Sequence, residues 1–239
     1  MTGALKYTLA KNEMGAIVNH AIINEEGDKI IATESGELLF WDLESKSIVF
    51  TDECKGAIQI SFNKKQTKVL IVQSSGPIGA YKGKKNDKYQ KEMKSTFYEG
   101  FVQSKHFPSG EKELDFEFPY KNFVGVTWTS DESHIVCYGC EKQKAHLFVH
   151  NAKNGKLIHK FQVKYDGLKE VDKMVAVPEK SGIVALIDVD KGNMVDVVNK
   201  KHVKSLQGWG GSCTKDGKYG LCAPPTGGMD ILDLRFVVV

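Results

Sequence analysis

Five times along this chain a short apolar run is followed by a polar turn and a second apolar run. The turns begin at Asn24, Asn63, Thr129, Val177 and Thr214 and lead into Ile30-Ile31, Val69-Leu70, Ile135-Val136, Ile183-Val184 and Gly220-Leu221. Gly, Asp, Ser and Asn crowd these turns because they tolerate positive φ or bond their own backbone. Apolar runs bounded in this way read as hairpins. The five starting points are separated by 39, 66, 48 and 37 residues. A unit of that size cannot bury its own apolar faces and has to stack on its copies.

Each turn follows one short strand, at 16–23, 57–62, 123–128, 173–177 and 209–213. A third strand is predicted at 38–42, 97–103, 145–150, 193–198 and 229–234, and a more polar fourth at 47–50, 112–118, 156–163 and 202–206. No long run has the 3.6-residue period of an amphipathic helix. The expectation is an all-β chain and one domain over 1–239: a β-propeller of about five four-stranded blades, with units near 15–54, 55–119, 120–168, 169–207 and 208–239. Residues 3–9 resemble a stray fourth strand, and the C-terminus stops near the end of a third. Two readings follow. The stray strand completes the last blade and closes a five-blade ring, or the chain is a piece of a larger propeller. The second is preferred, because the Phe236-Val-Val-Val end reads as an interrupted strand.

Composition excludes several classes. The 239 residues carry 33 basic and 30 acidic side chains, net +3, so overall charge names no partner. Five irregularly spaced cysteines do not make a disulfide framework. There is no Asn-x-Ser/Thr acceptor, no signal-peptide core and no apolar run long enough for a membrane helix. These features place the chain in the reducing cytoplasm, away from membranes.

The long interval holds an insertion between the second and third strands of the second unit, at 74–95. It carries Lys82, Lys84, Lys85, Lys88, Lys91 and Lys94 against Asp87 and Glu92, with Tyr81 and Tyr89 between. Read functionally, it is a basic arm for an acidic protein surface, an anionic ligand or nucleic acid, with the tyrosines as stacking faces. Read plainly, it is a solvated insertion. Trp209, set among Gly208, Gly210 and Gly211, lies at a junction on the same side and is a second candidate contact.

Other constellations carry less. Cys137, Cys140, His146 and His150 imitate a zinc pattern, but five residues between the pairs are too few, so no metal site is assigned. Gly79 to Lys85 is one residue short of a phosphate loop and is followed by no helix. A propeller enzyme would need His, Asp or Glu converging from several inner strands. Those strands are apolar, and His20 is their only histidine. No catalytic residue and no cofactor is therefore assigned.

Trp41-Asp42 closes the first third strand and Leu232-Asp233 the last; with Asp131 and Asp216 in the turns, these form a degenerate repeat signature. The pattern resembles WD-repeat propellers, although their Gly-His dipeptide is missing. The stretches 184–192 and 209–220 look like the C-terminal propeller region of NACHT and WD-repeat domain-containing proteins. That resemblance implies a module of a larger multidomain protein. In that family a separate NACHT module binds nucleotide, and the propellers serve sensing, autoinhibition or assembly. No residue here matches the nucleotide module, so ATP hydrolysis is not carried over. The resulting expectation is a non-catalytic scaffold whose partners are other proteins. An anion- or nucleic-acid-binding surface and a central-channel enzyme are the alternatives.

Overall fold

The computed structural model describes residues 18–34, 36–54, 57–74, 100–118, 125–141, 144–163, 173–188, 191–214, 218–222 and 228–234. These residues form five antiparallel sheets, one after another along the chain, and contain no α-helix. Sheet 1 holds β1 (Val18–Ile23), β2 (Lys29–Glu34), β3 (Glu37–Asp42) and β4 (Ser47–Glu53). Sheet 2 holds β5 (Ala57–Phe62), β6 (Lys68–Ser74), β7 (Gly100–His106) and β8 (Lys112–Phe118). Sheet 3 holds β9 (Gly125–Trp128), β10 (His134–Glu141), β11 (Lys144–Asn151) and β12 (Leu157–Gln162). Sheet 4 holds β13 (Lys173–Ala176), β14 (Ile183–Asp188), β15 (Lys191–Asp196) and β16 (Lys201–Gln207). Among the described residues, sheet 5 has β17 (Trp209–Cys213), β18 (Tyr219–Cys222) and β19 (Asp230–Asp233). Each sheet is a meander, and no described strand pairs across sheets.

The sheets are set radially. First strands of successive sheets lie together, β1 on β5, β5 on β9 and β9 on β13, so they face a common axis. This is the expected β-propeller. Residues 3–9 and 235–239, on which the two readings of the ends turn, lie outside the described residues.

The repeat is stricter in geometry than in residue identity. At every turn start the backbone N–H donates forward to a carbonyl five or six residues on: Asn24 to Lys29, Asn63 to Lys68, Thr129 to His134, Val177 to Ile183 and Thr214 to Tyr219. In four of the five, the side-chain oxygen of the same residue also accepts an N–H from across the turn. Sheets 1 to 4 each carry a register shift between third and fourth strands at an equivalent place: Phe40/Trp41, Ser104/Lys105, Val149/His150 and Met194/Val195. Such bulges sharpen the local twist. The sequence has no common residue type there to announce them.

The core lies between sheets. Ile31, Leu38 and Phe40 of sheet 1 meet Ile60, Val69 and Ile71 of sheet 2. Leu70, Val72 and Val102 on the other side of sheet 2 meet Ile135, Cys137 and Phe148 of sheet 3. Val136, Leu147 and Val149 of sheet 3 meet Val184, Leu186 and Val195 of sheet 4. Ile183, Ala185 and Met194 of sheet 4 meet Leu234 at the end of sheet 5. The second strands of sheets 2 to 4 are thus buried on both faces, which explains their unbroken apolar runs. Fourth strands are only partly covered, and β4 alternates exposed and half-buried residues.

Turns of one sheet also close on the fourth strand of the sheet before. Gly110 (φ 75°) would set an added Cβ 2.3 Å from the Phe50 ring. By contrast Gly27 (φ 71°) has no atom within 4 Å of that position. Gly110→Ala should therefore cost about 2–4 kcal/mol, from overpacking added to a left-handed backbone. Gly27→Ala should cost only about 1 kcal/mol, from the backbone alone. Denaturant midpoints of both variants test this, and equal losses would contradict the packing account.

Candidate interaction faces

Strand alternation gives the propeller two ends. Turns between first and second strands, and between third and fourth, share one end. The opposite end carries the connections between second and third strands and the junctions from one sheet to the next. These two ends are built differently.

The first end is tied. Gln66 and Glu132 occupy corresponding places in their turns, and both hold left-handed backbone, at φ 55° and 58°. A side chain there costs about 1–2 kcal/mol, and in these two turns it reaches back to the previous sheet. The Oε1 of Gln66 accepts the N–H of Glu25 at 2.7 Å. The Oε1 of Glu132 accepts from Asn63 Nδ2 at 3.1 Å and from the Lys65 N–H at 3.3 Å. The corresponding residue of sheet 1 is Gly27, at φ 71°. Asp131 continues the lacing, accepting from the hydroxyls of Thr129 and Ser133 in its own turn and of Ser181 in sheet 4. Burial works to raise this carboxyl, but those hydrogen bonds outweigh it and hold the group well below the ordinary carboxylate range. Lys64 of sheet 2 pairs with Glu179 of sheet 4.

This end opens into an axial cavity of about 470 Å³, with Phe62, Thr127, Trp128 and Pro178 in its wall. Trp128 is 5% exposed, and its indole N–H is buried without a partner.

Other ties run deeper. The amide of Gln59 on β5 both donates to and accepts from the Val126 backbone on β9, each at 2.9 Å. Lys105, 5% exposed, meets Asp52 of sheet 1 at 2.6 Å. His159 donates to the Val197 carbonyl at 2.7 Å, joining sheet 3 to sheet 4.

Asp42 accepts from the N–H and hydroxyl of Ser45, which shapes the turn after its strand. Asn151 and Asp196 stand at the corresponding register in sheets 3 and 4 and accept in the same manner, from Lys153 and from Val198 and Asn199. Sequence reading missed both because it looked for Trp before Asp. Trp41 is buried, and Asp233 pairs in register with Tyr219. Asp216 lies outside the described residues.

The other end carries the sequence candidates. Ser74 and Gly100 pair in register at the base of the lysine-rich insertion. Lys82, Lys84, Lys85, Lys88, Tyr89, Lys91 and Lys94 themselves lie outside the described residues. Trp209 opens β17 opposite Cys222 and stands at the same end of its sheet as that base; its side chain lies outside the described residues. Cys137 and Cys140 lie three apart on β10; Cys137 is buried, and the side chain of Cys140 lies outside the described residues. Among the described residues no group of three or more His, Cys, Asp or Glu side chains converges as a metal site would.

Comparison with known proteins identifies the architecture. A family model described as the NWD2 C-terminal beta-propeller matches residues 1–237. A chain from the crystal structure of the mitotic checkpoint complex superposes with a TM-score of 0.61 at 12% identity, over 93% of this chain and 64% of that one. The Dos1 propeller superposes with a TM-score of 0.58 at 13% identity, over 86% of this chain and 50% of that one. At such identities the likeness is one of fold, and this chain spans less than two thirds of either structure's length. No curated protein matches the sequence.

Two predictions follow from the ties. Glu132→Ala keeps the left-handed backbone and loses both bonds, and should destabilise by about 1–2 kcal/mol. Glu132→Gly should fall between it and wild type, since glycine takes that φ freely. Chemical denaturation orders the three, and an alanine variant as stable as wild type would remove the lacing argument. The second concerns His150, whose Nδ1–H donates to the Gly155 carbonyl at 2.9 Å while Nε2 is buried without a partner. Burial holds its pKa below the usual histidine value, against the weaker pull of that bond. The unfolded chain therefore takes up the proton first, so stability is full above about pH 6.5 and declines as pH falls below it. His150→Phe, which keeps a ring against Phe116, should show a smaller drop in denaturation midpoint between pH 7.5 and 5.5 than wild type. Equal drops would sink the assignment.

Proposed function

We propose that this chain, which belongs to the NWD2 C-terminal beta-propeller family, is a non-catalytic interaction platform within a larger multidomain protein. Propellers are commonly protein-binding modules, and one structural neighbour is a component of a checkpoint complex. The observation that carries the reading is the use made of the polar groups. Asp131, Glu132, Gln59 and Lys105 are each engaged in holding one sheet to the next. This chemistry produces a rigid body with connections held at its ends, and such a body binds by area and shape.

The docking side is the end that carries the 74–95 insertion and the Trp209 junction. There the tied turns of the opposite end impose no geometry. The lysines give the insertion preference for an acidic protein surface, and Trp209 with its glycines admits close approach. Sensing or assembly within a NACHT-containing protein, in the cytoplasm, is the biological setting of the proposal. No described helix is long and apolar enough to cross a membrane.

The test is a pull-down with the full-length protein, comparing wild type, deletion of 74–95, Trp209→Ala and, on the opposite end, Glu44→Ala. The first two changes should each reduce partner capture, and Glu44→Ala should leave it intact. Equal capture by all four would place the docking side elsewhere. Retention on an anionic polymer that falls steeply with salt and needs the insertion would replace the protein platform with an anion-binding surface.

A further inference from the structure

Every sheet of this propeller has a face turned toward the next sheet. At the centre of that face stand one residue of the second strand and one of the third, at the same register each time. In sheet 1 they are Ile31 and Phe40, in sheet 2 Leu70 and Ser104, in sheet 3 Val136 and Val149, in sheet 4 Ala185 and Met194. All eight are at most 1% exposed, because the following sheet covers them. In sheet 5 the same two positions are Leu221 and Ile231, paired directly with each other. They are 49% and 73% exposed.

The face is otherwise like the others. On β18 burial alternates strictly: Gly220 and Cys222 are covered on the side of sheet 4, while Tyr219 and Leu221 look the other way. Leu232 and Leu234 pack toward sheet 4, and Ile231, one residue before Leu232 on the opposite face of the strand, does not. Tyr219, Leu221 and Ile231 line a shallow hollow of about 420 Å³, and Met229 beside it is 73% exposed. An apolar cluster of this kind on open surface marks a binding face.

Closure of the ring onto sheet 1 does not supply the cover. The positions of sheet 1 that look away from sheet 2 are Ala32, Leu39 and Trp41, at 7%, 0% and 7% exposure. They are already occupied. We propose that the open face of sheet 5 is the seat of a further blade: an antiparallel sheet of the same full-length protein, outside these 239 residues. The opposing faces of sheets 2, 3 and 4 show what such a blade presents: apolar side chains alternating along its second strand, as Val69 and Ile71, Ile135 and Cys137, and Val184 and Leu186 do. The inference rests on the larger-protein part of the proposed function and not on the docking loop.

The test uses full-length protein and peptide-resolved maleimide labelling of Leu221→Cys and Ile231→Cys. Glu44→Cys, in an exposed turn, serves as the open reference. Both sheet-5 cysteines should label at least about tenfold more slowly than the reference, at every protein concentration. Labelling as fast as at Glu44→Cys would overturn the proposal while leaving partner capture by the opposite machinery untouched. Protection that disappears on dilution would assign the face to a second copy and would equally overturn it. Hydroxyl-radical oxidation of Met229 and Tyr219 in unsubstituted protein gives the same answer without a substitution: slow oxidation is expected, and rapid oxidation would count against the blade.

Discussion

The structure depends on a sheet that is apolar on both faces. Such a sheet is insoluble alone, and where the described residues hold no α-helix to cover it, stacking on other sheets buries both faces. Ile135 to Tyr138 illustrate the constraint. Alternate residues of this run enter two different cores, Ile135 and Cys137 against sheet 2, Val136 and Tyr138 against sheet 4. A single strand therefore couples three sheets, and loss of packing on one side is felt on the other. Radial order is the consequence of repeating this arrangement around an axis.

Apolar faces hold the sheets together without fixing how they slide. The polar ties supply that register. A hydrogen bond such as Gln59 to the Val126 backbone, made in both directions, has one geometry, while a leucine against a valine has many. The left-handed residues Gln66 and Glu132 extend the same logic. A turn residue in that conformation points its side chain away from its own hairpin, and here that direction leads to the neighbouring turn. Glycine would be easier on the backbone and would leave the adjacent sheet unanchored.

How much of this could be read from residues depends on how local each cause is. Turn starts were legible because Asn24, Asn63, Thr129 and Thr214 have short polar side chains that accept from across the turn, a purely local act. Val177 has no such oxygen, and its turn was legible only through spacing and the Pro178 and Gly182 within it. Inter-sheet ties were not legible. Nothing around Gln66 signals Glu25, which is 41 residues away, and the usual marker of left-handed backbone is glycine or asparagine. The roles of Asn151 and Asp196 were hidden for a different reason. Their shared property is register, which no neighbouring tryptophan marks. Of the candidate docking residues, the sequence alone still speaks for the lysines, whose positions lie outside the described residues.

Degeneracy of the repeat follows from the same division of labour. A position that only has to be apolar and covered accepts Ile, Leu, Val, Ala, Met or Phe, as seven of the eight covered forward-face positions show, Ser104 being the exception, so residue identity drifts while burial does not. A position that has to bond its own turn accepts Asn, Thr or Asp. Neither requires the Trp-Asp pair, which survives once. What cannot drift is the match between the two faces that meet. Leu221 and Ile231 keep the character of a face that is met, although no described residue covers them. Exposure of aliphatic side chains in open solvent carries a standing cost in solubility. Their persistence at the covered register is therefore the strongest physical sign that the stack continues past sheet 5.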